Sequence, residues 1–265
     1  MATVVQLPAA LERINFESSE PSCLPILLWP NSLWDLSLRH CTIWAQYHLP
    51  ASLESLTLVG AVVEGEFQSG GGAVGLPEGL ETLTLLDCTV EFQLHLPSTL
   101  RRVVTFGDDP MAEPGAPAHN ATCNAFVHLH SPPPRLVELD LRGCGDMFVL
   151  PAFPASLEVL KLPGRYSAPI AALPASLQQL WLGGRFNSAL GPLPRQLRQL
   201  HVVAYEGKTS FNKRLAALPD SLQELLLGTA FTQRLGKLPA ALRRLHIDCP
   251  QYTHSLGRCP VSWSS

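Results

Sequence analysis

A leucine–proline phrase, L-P-x-x-L-x-x-L-x-L, returns along this 265-residue chain at intervals near 20 residues. Clear copies run from Leu173-Pro174 through Leu177, Leu180 and Leu182, and from Leu193-Pro194 through Leu197, Leu200 and Val202. Two more run from Leu218-Pro219 through Leu222, Leu225 and Leu227, and from Leu238-Pro239 through Leu242, Leu245 and Ile247. No other feature restricts the fold as much. A unit this short cannot bury its own apolar side and must stack on its neighbours, so a fixed period in this range specifies a solenoid. The repeat prolines fall at Pro8, Pro30, Pro50, Pro77, Pro97, Pro133, Pro154, Pro174, Pro194, Pro219 and Pro239, and Pro260 opens a truncated further unit. Longer gaps are the base unit plus a surface insertion. The expectation is a single repeat domain over 1–265, of about eleven units of about 20 residues, with a proline-rich loop insertion at 107–134.

The repeat accounts for the composition. Charged residues are 15% and prolines number 24, because each unit spends one position on proline and several on inward apolar side chains. The net charge of −3 gives no overall field toward nucleic acid or an anionic membrane. No apolar run is long enough to span a bilayer as a helix, and the N-terminus lacks the pattern of a secretory signal. Seven cysteines, an odd number without C-x-x-C spacing, fit reduced thiols in a cytoplasmic, or alternatively nuclear, protein. The pattern Asn120-Ala121-Thr122 is a glycosylation sequon read as chance in that setting.

Each L-x-x-L-x-L segment reads as a short strand with period-two alternation. Proline precedes the strand, where its missing N–H costs no ladder bond. Glycine often follows, at Gly60, Gly143, Gly164, Gly183 and Gly228, where a turn with unusual backbone angles is expected. An aromatic stands eight residues before the next proline at Tyr166, Phe186, Phe211, Phe231 and Tyr252, which predicts a stacked spine inside the core. The serines Ser52, Ser156, Ser176 and Ser221 recur in one phase and predict a hydrogen bond in the turn before the strand. Twenty residues leave little room for an α-helix. Short parallel strands on a concave face, extended or 3₁₀ return segments, and little α-helix are therefore expected.

The stretch L-P-A-S-L-Q-Q-L-W-L-G-G-R-F-N-S-A-L-G-P-L-P, Leu173 to Pro194, resembles the FNIP repeat, a short relative of the leucine-rich repeat. Phe186-Asn187 and Phe211-Asn212 carry the family's F-N pair. Tyr166-Ser167, Phe231-Thr232 and Tyr252-Thr253 depart from it at the second position, and Phe67-Gln68 and Phe92-Gln93 keep only the aromatic. Leu150 to Leu157 is also similar to the repeats of secreted bacterial effector leucine-rich proteins. Either resemblance implies a leucine-rich-repeat-like solenoid that binds protein. The F-box that accompanies some FNIP repeats, and the ubiquitin-ligase domain that follows some effector repeats, are not expected here. A substrate-recognition section of a ubiquitin-ligase system, with the ligase in trans, is the alternative reading, and a structural repeat spacer or fragment of a longer repeat protein is another.

Two columns of side chains should point out of the strand face. Five residues after each proline stand Arg13, Asp35, Ser55, Thr82, Arg102, Glu138, Val159, Gln179, Gln199, Glu224 and Arg244. Seven after stand Asn15, Ser37, Thr57, Thr84, Val104, Asp140, Lys161, Trp181, His201, Leu226 and His246. The second column changes from small and polar to large near Lys161. Lys161, Trp181, Gln199, His201, Leu226, Arg244 and His246 are the candidate partner-binding patch, since tryptophan and arginine dominate interface hot spots. The bland alternative is that they only cover the sheet.

Catalysis has little to recommend it. His201 and His246 lie two units apart, too far for one dyad, and no nucleophile elbow, phosphate loop or dinucleotide motif appears in context. The insertion brings together Asp108, Asp109, His119, Cys123, His128 and His130, but their spacing matches no common zinc site and the prolines there favour a surface loop. The sequence thus points to a non-enzymatic scaffold without cofactor or metal. Its partner would be a protein of unknown identity, with no nucleic acid and no membrane, and end-to-end self-association is possible through bare sheet edges.

Overall fold

The computed structural model describes residues 4–23, 26–44, 49–64, 76–90, 96–105, 132–144, 150, 152–170, 172–204 and 208–255. Strands are numbered in chain order. The strand after each repeat proline joins one parallel ladder, and that ladder sets the whole architecture. It runs from β2 (Arg13–Cys23) through β4 (Asp35–Trp44), β5 (Ser55–Val59), β7 (Thr82–Leu86), β9 (Arg102–Val104) and β10 (Glu138–Asp140). It continues through β11 (Val159–Lys161), β12 (Gln179–Leu182), β13 (Gln199–Val202), β14 (Glu224–Leu227) and β15 (Arg244–Ile247). The register pairs Arg13 with Asp35, Asp35 with Ser55, and so on to Glu224 with Arg244. Both columns read from the sequence are therefore continuous rows across the sheet.

Register is fixed by a turn that every unit repeats. The leucine three residues after each repeat proline donates its N–H to that proline's carbonyl, at 3.0 to 3.2 Å, from Leu11 on Pro8 to Leu242 on Pro239. This backbone bond closes the turn, so the serine is free for another task. Ser176 Oγ donates to the carbonyl of Leu157, 2.6 Å away in the preceding unit. Ser156 reaches Pro134 and Leu136, Ser221 reaches Arg195 and Leu197, and Thr99 does the same to Glu78 and Leu80. The expected bond within the turn is thus a bond between units. It satisfies carbonyls that the last residues before the ladder would leave unpaired.

The leucines of the phrase face inward: Leu177 and Leu180 are 0% exposed and Leu182 is 2%. Burying each such side chain contributes about 1.5–3 kcal/mol. On the far side of the core, two different solutions fill the space. From Tyr166 onward the aromatics form the predicted spine. Tyr166, Phe186, Phe211, Phe231 and Tyr252 stack in that order with centroids 6.0 to 6.3 Å apart and planes within 21° of parallel, inside the range for offset stacking. The residue after the aromatic adds a polar ladder. Asn187 Oδ1 accepts the N–H of Asn212, and Asn212 Oδ1 accepts the N–H of Thr232.

Earlier in the chain a second strand ladder replaces the rings. The distal part of β4, at Thr42–Trp44, pairs with β6 (Val62–Glu64), which pairs with β8 (Thr89–Val90). Before these second strands, His40, Gly60 and Asp87 sit at one phase with φ of 51°, 57° and 56°. A left-handed residue there turns the chain from one strand into the next. Near the start, β1 (Val4–Gln6) and β3 (Ile26–Leu28) form a separate parallel pair. The extended return segments expected from the sequence are thus realised as strands in this half. No 3₁₀ or α-helical segment occurs among the described residues, and none there forms a helix long and apolar enough to cross a membrane.

The glycines after the strands do not share one purpose. Gly60 has the positive φ expected of all five. At Gly143 a Cβ would lie 1.8 Å from the Thr105 carbonyl oxygen, and at Gly183 it would lie 2.3 Å from Gly164 Cα. Those two are required by the close approach of the neighbouring unit's backbone. Gly164 would meet nothing within 4 Å.

Candidate functional site

The seven candidate residues occupy one stretch of the outward strand face. Lys161 comes from β11, Trp181 from β12, Gln199 and His201 from β13, Leu226 from β14, and Arg244 and His246 from β15. The register sets Lys161 beside Trp181, Trp181 beside His201, His201 beside Leu226, and Leu226 beside His246. Lys161, Trp181, Gln199 and Leu226 are half-buried, while Arg244 and His246 are exposed. His201 departs from the expectation of an outward-presented residue, being only 4% exposed. It is flanked by the larger Trp181 ring and by Leu226, which take it out of solvent.

Trp181 is the centre of this stretch. The imidazole of His201 packs 4.2 Å from it, tilted by 47°. Toward β10, the Arg142 guanidinium carbon lies 5.1 Å and Lys161 Nζ 5.7 Å from the ring centroid, both within cation–π range. The indole Nε1 is buried with no acceptor.

Under these cations lies an acid that the sequence reading placed among the small polar residues. Asp140, 1% exposed, receives Arg142 in a bidentate pair, Nε to Oδ1 at 2.8 Å and Nη2 to Oδ2 at 2.6 Å. Lys161 Nζ adds a third contact, 3.1 Å from Oδ2, and also faces Glu138 at 3.5 Å. Glu138 in turn holds Arg102 at 2.7 Å. A carboxylate so deep is tolerated because two cations compensate it. The signal was the column itself, since Asp140 and Lys161 are adjacent in it. Arg142 lies beyond the strand and belongs to neither column.

A second ionic group lies on the other side of Trp181. Glu224 Oε1 sits 2.8 Å from Arg244 and 3.3 Å from His201 Nε2. Neither ring nitrogen of His201 makes an aligned hydrogen bond. Burial lowers the pKa of His201 from its ordinary value, Glu224 opposes that shift, and Arg244 adds to it. The ring is therefore held neutral as an apolar neighbour of Trp181. The whole stretch is an indole flanked by two ionic groups, with Leu226 two strands away.

The insertion residues Asp108, Asp109, His119, Cys123, His128 and His130 lie outside the described residues. Among those described, no group of three or more His, Cys, Asp or Glu is placed to hold a metal ion. Cys41, Cys88, Cys144 and Cys249 are buried, and burial pushes the Cys41 thiol up to about 11.

Comparison with known proteins speaks to the architecture. Among solved structures the chain is similar to CroV588, described as a novel circular LRR protein, with 24% identity and a TM-score of 0.53. The match covers 89% of this chain and 36% of that one. The fold is that of a leucine-rich-repeat solenoid. The chain spans about a third of the length of that relative. A further similarity, to YopM from Yersinia enterocolitica WA-314, has 19% identity over 85% of this chain and 66% of that one, with a TM-score of 0.36. No protein-family profile and no curated protein sequence matches the chain.

Proposed function

We propose that the solenoid is a non-enzymatic, intracellular interaction scaffold of the FNIP-like type, and that it holds a protein partner against the strand face of its later units. The observation that carries this reading is Trp181. It is a half-buried indole at the centre of a continuous row, with Leu226 two strands away and ionic pairs on both sides. An apolar centre with a polar surround is the anatomy of a binding hot spot. The Ser and Thr side chains at the same column in β4, β5 and β7 offer no comparable anchor. The Phe-Asn pairs that support the FNIP reading lie in these same later units, where Asn187 and Asn212 build the polar ladder.

The test is affinity purification with mass spectrometry, run with the wild-type chain and with the Trp181→Ala, Leu226→Ala double variant. Partners retained by the wild type should be lost from the variant. Equal recovery on a folded double variant would sink the proposal. End-to-end self-association belongs to the same reading, because β2 and β15 each pair on one side only among the described residues. Sedimentation that does not change with concentration would remove it.

A further inference from the structure

The net charge of −3 is the small difference between two oppositely charged ends. Residues 159–265 hold 13 of the 19 Lys and Arg but 4 of the 22 Asp and Glu, a balance of +9. Residues 1–158 therefore carry −12. On the strand face Arg102, Arg142, Lys161 and Arg244 each face one of the three carboxylates of Glu138, Asp140 and Glu224, so these groups account for little of the excess. The excess lies elsewhere, on the return segments and turns of the later units.

Those segments contain a groove of about 660 Å³ between the units of Pro219 and Pro239. Leu215, Leu218, Leu235 and Leu238 line it with apolar surface. Arg214 and Arg234, at one phase in successive units, stand at its edge with Lys237, and all three are exposed. Asp220 is the one acid in the lining. None of the three cations has an ion-pair partner among the described residues. The size falls within the roughly 300–1,000 Å³ typical of ligand sites.

We propose that this groove docks an acidic peptide segment of a partner protein. The segment's aliphatic side chains would rest on the leucine floor, and its carboxylates would pair with Arg214, Arg234 and Lys237. Charge complementarity names the occupant: unmatched cations around an apolar floor call for an anion with an aliphatic body. No aromatic ring lines the groove, so nothing there stacks a base as a single-stranded nucleic acid site would. The apolar surface is recessed between units rather than raised, which suits a side chain better than a membrane surface. The field of the later units draws such a segment in, and the acidic earlier units turn it away, so the approach has a direction. This site is separate from the Trp181 face and does not depend on it.

Fluorescence anisotropy with the full chain tests the idea, using a labelled peptide of alternating Glu and Leu, the same peptide with Gln for Glu, and a labelled oligothymidylate. The acidic peptide should bind, and its affinity should fall with added salt, as exposed charge pairs require. The Arg214→Glu, Arg234→Glu variant, with unchanged circular dichroism, should lose at least about tenfold in affinity. Equal binding of the Gln peptide, stronger binding of the oligothymidylate, or an unchanged affinity in the double variant would each overturn the proposal. The salt titration needs no variant and stands on its own.

Discussion

The earlier units, around β4, β5 and β7, and the later ones, around β11 to β14, use one strand phrase and differ in what they place behind it. In the earlier units the chain turns a corner at a left-handed residue and forms a second parallel ladder, β4 to β6 to β8. In the later units it carries one strand of three or four residues and fills the far side with stacked rings. The first solution satisfies backbone groups by pairing them across units. The second relies on aromatic area, and satisfies part of its backbone through side chains such as Asn212. The strand turn and its register are indifferent to the choice, which is why both halves share one continuous sheet.

This contrast breaks most sharply at the rings. Phe211→Ala, at a fully enclosed spine position, should destabilise the chain by about 4 kcal/mol. Val63→Ala in β6, the counterpart behind the earlier strands, should cost about 2 kcal/mol. Urea unfolding of both variants checks it, and equal losses would mean that the two halves depend on their far sides alike. At the seam between them, Asp140→Asn leaves Arg142 and Lys161 without their shared carboxylate and should cost about 3 kcal/mol by the same measurement. Gly183→Ala, driven into Gly164 Cα, should cost about 2 kcal/mol, whereas Gly164→Ala should stay within about 0.5 kcal/mol of wild type. That pair sharpens the claim that close stacking, rather than backbone angle, selects glycine in the later units. The smallest effect is one of pH. His201 has its pKa lowered by burial, so the unfolded chain takes up the proton first as pH falls. Stability should drop below about pH 6.5 until the folded ring protonates as well, and His201→Gln should flatten that drop. Unfolding midpoints at about pH 8 and about pH 5 measure it.

Within each unit, the sequence was a sufficient guide. The position of proline fixes the turn, the turn fixes the register, and both outward columns, from Arg13 to Arg244 and from Asn15 to His246, follow residue for residue. The aromatic spine was legible for the same reason, as a phase repeated from Tyr166 to Tyr252. What was not legible depends on the distance between units. Ser176 and Gly183 have their meaning in what the neighbouring unit brings within 3 Å of them, and no pattern inside one unit records that. The second ladder had a faint local signal in Ile43, Val62-Val63 and Thr89-Val90, too short to separate from a return loop. The Asp140 site escaped because Arg142 lies outside the periodic columns.

The hydroxyl that reaches back from the turns carrying Ser32, Ser52, Thr99, Ser156, Ser176 and Ser221 has an evolutionary consequence. Its acceptor is a main-chain carbonyl, in the same place in the preceding unit whatever side chain that unit carries. The contact makes no demand on the predecessor's identity. A gene segment coding for one unit can be duplicated or deleted, and the new neighbours still find donor and acceptor aligned. The outward positions are thereby released from the task of holding the stack, and are left free to diverge toward new partners one unit at a time.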